Sequence, residues 1–220
     1  MTRTRNSGDG NYIPAMGVGW LTPLFDQVTR LLMPEDRIKG KLVREAHIEN
    51  DQHVLDIGCG TGTLLLLIKE SYPEVTLTGL DGDAEVLAIA HRKLDKAGID
   101  AQLDHTVADA MPYPDGSLDR VVSSLVFHHL ESEVKRGALA EAFRVLRPGG
   151  RIAILDIGTP HSFFTRLIAP IMRRLERAAD NIDGRIPEFM REAGFSNVHE
   201  INHLPGLFGT LTIVVGDKRG

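Results

Sequence analysis

The stretch VLDIGCGTGTL, residues 54–64, sets an aspartate behind three glycines at every second position, between an apolar run and further leucines. Gly58, Gly60 and Gly62 let a backbone turn tightly, reach positive φ and approach a ligand without Cβ clashes. In open α/β sheets, ligands sit outside the carboxyl ends of the strands. Amides of such a loop, and of the helix that follows, then face the ligand. The spacing is G-x-G-x-G. The dinucleotide pattern G-x-G-x-x-G would need glycine at position 63, which is Thr63. Asp56 stands two residues ahead of the first glycine, where its carboxylate can pair with a cationic group or orient the loop by accepting amide hydrogen bonds. Its charge disfavours a pyrophosphate and suits a zwitterionic nucleoside that carries an amino acid.

The surrounding chain alternates strand and helix patterns. HVLDIG is a buried strand, and a helix pattern from Thr63 to Ser71 stops before Pro73. EVTLTGLD is a second strand. DAEVLAIAHRKLDKAGI is a helix that Asp83 can cap and Gly98 can end. AQLDHTVAD and LDRVVSSLVF are the third and fourth strands. A helix over Glu131 to Leu146 ends at RPGG, and RIAILDIG is a fifth strand. Continuous apolar strands alternating with helices predict a parallel sheet covered on both faces. After a helix near Ile186 to Ala193, NVHEINHL and GLFGTLTIVVGDK lie close in sequence and predict an antiparallel pair closing one edge.

Two more acids fall at strand ends. Asp81 ends the second strand, about twenty residues beyond the loop, where a carboxylate can accept both hydroxyls of a ribose. Asp109 ends the expected third strand and could accept an adenine amino proton while Met111 packs on the ring. Each alone is consistent with a helix cap, a role Asp83 can share with Asp81. Together they describe one cleft for a nucleoside. Cys59 fits as a small residue in a tight turn rather than a nucleophile.

Bulk properties bound the class. The chain has 220 residues, 42% hydrophobic and 25% charged, with net charge -5. That is ordinary for one globular domain, and the spread-out basic residues argue against a nucleic-acid footprint. One cysteine excludes an intrachain disulfide. No apolar run approaches membrane-spanning length, and MTRTRNSGDG lacks the apolar stretch of a secretory signal. We expect a cytoplasmic protein.

The motifs VLDIGCGTG, GLDGD, ADAMPYPDGSLDRVVSSLVFHHL, EAFRVLRPGGRIAILDIG and REAGF, in that order from about Asp51 to Gly220, resemble those of class I S-adenosylmethionine-dependent methyltransferases, in the small-molecule branch similar to ubiquinone/menaquinone-biosynthesis C-methyltransferases. The resemblance implies a Rossmann-like seven-stranded α/β sheet of order 3-2-1-4-5-7-6, with the seventh strand antiparallel and helices on both faces. It implies S-adenosyl-L-methionine as cofactor. The expected cofactor-binding set is Asp56, Gly58, Cys59, Gly60, Gly62, Asp81, Gly82, Asp109, Ala110, Met111, Ser124, Leu125 and His129.

Methyl transfer from a sulfonium is an in-line displacement with a neutral leaving group, so positioning and water exclusion can supply most of the acceleration. A base is needed only where the acceptor must lose a proton. Ser123, Ser124, His128 and His129 lie at the mouth after the fourth strand, and His128 or His129 could be that base. The bland alternative is a histidine packed beside the cofactor or bonded to backbone. The adjacent pair lacks metal-ligand spacing, so no metal is expected. RRLER, within residues 172–177, is expected to be a solvated helix face rather than a phosphate site.

Two apolar segments lie outside the sheet pattern, YIPAMGVGWLTPLFDQVTRLLM and HSFFTRLIAPIMRRLERAADNIDG. Both should cover the carboxyl end of the sheet, giving an acceptor pocket with Tyr12, Met16, Trp20, Phe25, Phe163 and Phe164; they could instead simply cap the core. The expected organisation is a disordered N-terminus (1–10) and one domain (11–220). That domain divides into an N-terminal helical lid (11–49), a cofactor core (50–160), a lid insert (161–186) and a C-terminal helix with antiparallel strands (187–220). The expected acceptor is a small hydrophobic molecule, quinone-like, aromatic or lipid-like. Alternatives are a phosphatidylethanolamine-type lipid methylated at a membrane surface through peripheral contact, a nicotinamide-dependent oxidoreductase, and an idle nucleoside-binding module. Monomer and homodimer both remain open.

Overall fold

The apolar run before the glycines forms β1 (His53–Ile57), the strand around which the sheet is built. The computed structural model of the protein describes residues 35–161, 178–206 and 209–220. β1 pairs in parallel with β2 (Thr76–Asp81) on one side and β4 (Leu118–Ser124) on the other. β3 (Gln102–His105) adds to β2, and β5 (Leu146–Ile157) adds to β4, again in parallel. β6 (Ser196–Gly206) and β7 (Gly209–Asp217) follow, and β7 runs antiparallel to both β5 and β6. The order is β3-β2-β1-β4-β5-β7-β6, the arrangement that the resemblance implies.

Alternation along each central strand feeds two separate cores. Leu55, Ile57, Val121, Ile152 and Ile154 face α4 (Ser132–Val145) and α6 (Ile186–Glu192), through Ala138, Leu139, Phe189 and Met190. Val54, Val122, Ala153, Leu155 and Ile213 face the other way, onto α1 (Glu35–Glu45), α2 (Thr63–Ser71) and α3 (Ala84–Lys96). Burial on both faces is why apolar residues run consecutively in these strands rather than at every second position. Leu42 and Val43 of α1 are buried, so this end of the expected N-terminal lid packs into the core.

Local signals placed the helix ends. Asp83 caps α3, its side chain accepting from the Glu85 and Val86 amides. Gly98, at φ 69, follows the helix end in the left-handed region. Pro187 lies in the first turn of α6, where a missing N–H costs nothing.

Three expected boundaries move. β3 ends at His105, four residues short of Asp109. As the sheet edge it pairs only with β2, and that pairing stops where β2 stops, at Asp81 opposite His105. β4 ends at Ser124 rather than Phe127, because Leu125 takes φ 61 and Phe127–His129 form a 3-10 turn. β5 begins at Leu146, so RPGG lies within the strand instead of before it, across an irregularity in the pairing with β4. Among the described residues, no helix is long and apolar enough to cross a membrane.

Candidate active site

The three loop glycines all have positive φ, 67, 55 and 74 for Gly58, Gly60 and Gly62. Their surroundings differ. A Cβ on Gly58 would lie 2.4 Å from Val126 Cγ2, so the loop touches the turn after β4 there. A Cβ on Gly62 would press on Ala90 of α3 at 3.3 Å, and one on Gly60 would meet none of the described residues within 4 Å. Gly60 is thus the open face of the loop. Its amide donates to Asp81 Oδ2 at 2.9 Å, and the Asp83 amide donates to Oδ1 at 3.0 Å. Each carboxylate oxygen of Asp81 accepts one amide and keeps further acceptor capacity. Gly82 beside it is exposed, and its carbonyl lies 3.1 Å from His105 Nε2.

Asp56 is 1% exposed, and its Oδ1 has no hydrogen-bond partner among the described residues. Burial raises its carboxyl to about 8; the Lys39 charge opposes that and the Asp81 charge adds to it. An under-satisfied buried carboxylate beside an open glycine loop is suited to a cationic ligand group. Cys59 is buried, with Sγ 2.8 Å from where a Gly79 Cβ would stand. Burial, then the charges of Asp56 and Asp81, raises its thiol well above the ordinary value. That is the inert filler expected, not a thiolate.

Asp109 and Ala110 are exposed in the turn beyond β3, while Met111 is buried. A Cβ on Gly137 would come 2.8 Å from Asp109 Cβ, so α4 passes directly against this turn. The Met111 amide donates to Glu141 Oε2 at 2.8 Å. Arg144 grips Glu141 through two hydrogen bonds of 2.7 and 2.8 Å and also donates to the Met111 and Tyr113 carbonyls. This Glu141–Arg144 clamp was missed from sequence, where it is only an i,i+3 pair on a helix.

The other half of the site lies at the carboxyl ends of β4 and β5. Ser123 Oγ donates to the Ile57 carbonyl at 2.9 Å, a structural tie to β1. Ser124 Oγ is buried without a hydrogen-bond partner among the described residues. Leu125, at φ 61, starts a strained turn that brings His128 inward and leaves His129 exposed, their ring centroids 3.9 Å apart. His128 Nδ1 lies 2.6 Å from Asp156 Oδ1. Asp156 also accepts the amides of Val126 at 3.1 Å, His128 at 3.4 Å and Ile157 at 2.7 Å. Burial alone would raise this carboxyl; the His128 charge and hydrogen bonds outweigh it and hold it below the ordinary value. Asp156 was not singled out from sequence, because nothing local marks it as a partner of a residue 28 positions away.

α5 (Ala179–Ile182) packs against the 3-10 turn. Its Asp180 is bound by Ser132, by the fully buried Lys135 at 3.4 Å and by Arg185 at 2.9 Å. Tyr12, Met16, Trp20, Phe25, Phe163 and Phe164, and the RRLER run, lie outside the described residues. Among the described residues, no three His, Cys, Asp or Glu side chains are grouped so as to hold a metal.

Residues 54–150 match a family model described as a methyltransferase domain. The chain is 29% identical to the demethylmenaquinone methyltransferase of Thermus thermophilus, over 90% of this chain and 98% of that protein. It is 26% identical to the demethylmenaquinone methyltransferase of Listeria monocytogenes, over 86% and 90%. Among solved structures, phosphoethanolamine N-methyltransferase 2 of Haemonchus contortus, in complex with phosphomonomethylethanolamine and S-adenosylhomocysteine, superposes with a TM-score of 0.68 at 17% identity, over 83% of this chain and 52% of that one. At that identity the likeness concerns the fold.

Proposed function

We propose that this chain, a class I S-adenosylmethionine-dependent methyltransferase acting on a small molecule, transfers its methyl group to a hydrophobic acceptor of the quinol type. The observation that carries the acceptor class is the extent of the similarity. The domain model covers residues 54–150, whereas the likeness to a demethylmenaquinone methyltransferase covers 90% of the chain and so reaches well outside the cofactor core. No comparison supports the nicotinamide oxidoreductase or the lipid-methylating alternative.

The cofactor, S-adenosyl-L-methionine, supplies a methyl group activated on a cationic sulfonium. The Gly58–Gly62 loop, whose Gly60 amide serves Asp81, and the first turn of α2 would hold its amino-acid end beside Asp56 Oδ1, which has no hydrogen-bond partner among the described residues. Asp81 would accept the ribose hydroxyls with the capacity its two amides leave. The adenine would lie by Asp109 and Met111, on the turn that Glu141 and Arg144 hold rigid. Ser124, Leu125 and His129 line the junction with the acceptor side. The protein's task is to align acceptor and methyl and to exclude water.

A turnover screen with labelled methyl donor across quinols, phenols, amines, lipids and thiols tests this. We expect incorporation at a ring carbon of the quinols. Transfer to polar, charged acceptors alone would overturn the proposal. We place the protein in the cytoplasm, meeting an apolar-tailed acceptor by peripheral contact, which liposome co-sedimentation checks.

A further inference from the structure

His128 and His129 are neighbours in sequence, but the structure separates them. His129 is exposed, whereas His128 is buried with Nδ1 against Asp156. Asp156 receives three backbone amides in addition to the ring, a set of donors that a carboxyl group meets fully only when ionised. An ionised carboxylate only accepts hydrogen bonds, so the proton of the shared bond belongs to Nδ1. In the neutral ring the basic lone pair is then on Nε2. The same carboxylate fixes the turn that carries His128, and Val126 of that turn stands against the Cβ position of Gly58 in the glycine loop. One acid thereby fixes both the turn that touches the methyl-donor loop through Val126 and the nitrogen of His128 that is basic.

We propose that Asp156 is a positioning residue for methyl transfer, holding His128 in the tautomer whose Nε2 takes the acceptor's hydroxyl proton. The proposal rests on the quinol reading above. The acceptor's O–H bond breaks and its proton passes to Nε2. The ring carbon beside that oxygen forms a bond to the methyl carbon as the S–CH3 bond breaks, with the electron pair staying on sulfur. His128 returns its proton to the oxygen while the proton on the methylated ring carbon leaves to water, restoring the aromatic ring. No electrons are gained or lost overall.

The charged and titratable groups around the His128–Asp156 pair are His129 and Glu131 beside it in sequence, Lys135 on α4 and Asp180 on α5. The cation of Lys135 is bonded to Asp180, and the charges of Asp156 and Glu131 act on it as well.

Nitrogen-15 NMR of histidine-labelled protein, recorded without cofactor, reads the tautomer directly. We expect the neutral ring of His128 to carry its proton on Nδ1. In Asp156→Asn the amide NH2 donates to Nδ1 and moves the proton to Nε2. With a quinol acceptor, kcat should fall by about 100-fold or more in Asp156→Asn and in His128→Gln, as expected for loss of a general base. The double variant should be no worse than either single one, since the two act as a unit. His128→Gln keeps the carboxylate clamp, so it tests the proposal even if Asp156→Asn folds poorly. A proton on Nε2 in the unaltered protein, an unchanged tautomer in Asp156→Asn, or a His128→Gln variant within about threefold of full kcat would overturn the proposal. Failure of the quinol reading shows separately, as transfer by the unaltered protein to other acceptors only, and the tautomer measurement then decides the Asp156 assignment by itself.

Discussion

The tetrapeptide Leu-Asp-Ile-Gly occurs twice, at residues 55–58 and at 155–158, each time at the carboxyl end of a parallel strand. Both aspartates are buried, Asp56 at 1% exposure and Asp156 at 4%. They titrate in opposite directions. Asp56 is pushed up to about 8 by burial, whereas Asp156 is held below its ordinary value. Partners make the difference. Asp156 accepts three amides and His128, while Asp56 has one oxygen with no partner among the described residues. The two copies also face opposite sides of the sheet. Val122 pairs with Asp56 on one side and with Ala153 on the other, so Asp156 lies three residues further along than Asp56 does. An odd offset turns the side chain to the other face. Desolvation is common to both sites; what each acid does is decided by what its face of the sheet presents.

The sharpest test of this contrast is stability. Asp156→Ala leaves three amides and His128 without their acceptor, and should cost about 3–5 kcal/mol in denaturant unfolding. Asp56→Asn should cost nothing at neutral pH and should gain stability there. The sign follows from linkage. Asp56 is raised in the folded state, so its contribution is full below the ordinary carboxylate value and is lost as pH rises to about 8. The slope of that loss approaches about 1.4 kcal/mol per pH unit. Asp156 is lowered, so its contribution is present at neutral pH and is lost on acidification. Unfolding curves from pH 5 to 9 should therefore be flatter for Asp56→Asn than for the unaltered protein. A variant that loses more than about 1 kcal/mol at pH 7 would mean that Asp56 is satisfied after all.

A smaller effect separates the glycines where the two halves touch. Gly60→Ala meets only the backbone penalty of its left-handed conformation, about 1 kcal/mol. Gly58→Ala adds a clash with Val126, for a total of about 2–4 kcal/mol. Trimming Val126 to Ala in the same chain should recover the difference, and additive losses would show that the loop and the turn are not in contact.

The smallest effect is on cofactor affinity. Asp81→Ala should weaken S-adenosylmethionine binding by about tenfold or more in calorimetric titration, about 1–3 kcal/mol, by leaving the ribose hydroxyls unpaired. His128→Gln, on the acceptor side, should leave that affinity within about threefold. Equal losses in both variants would erase the division between donor and acceptor halves.

The sequence by itself determined whatever is written within a few residues. Helix α2 spans Thr63–Ser71 as its pattern and Pro73 dictate, Asp83 caps α3, and the G-x-G-x-G spacing marks the loop with three positive φ angles. These are torsional and periodic preferences of the local chain; the sheet order came from the family resemblance that the motifs carry. Tertiary structure decided the rest. It moved Asp109 off the strand end, because an edge strand stops when its single neighbour stops. It chose between His128 and His129 by folding one inward onto Asp156. It gave two identical tetrapeptides opposite faces and opposite protonation. No local pattern could foretell this, since the strength of an acid in a folded chain depends on water excluded and on donors supplied by segments distant in sequence.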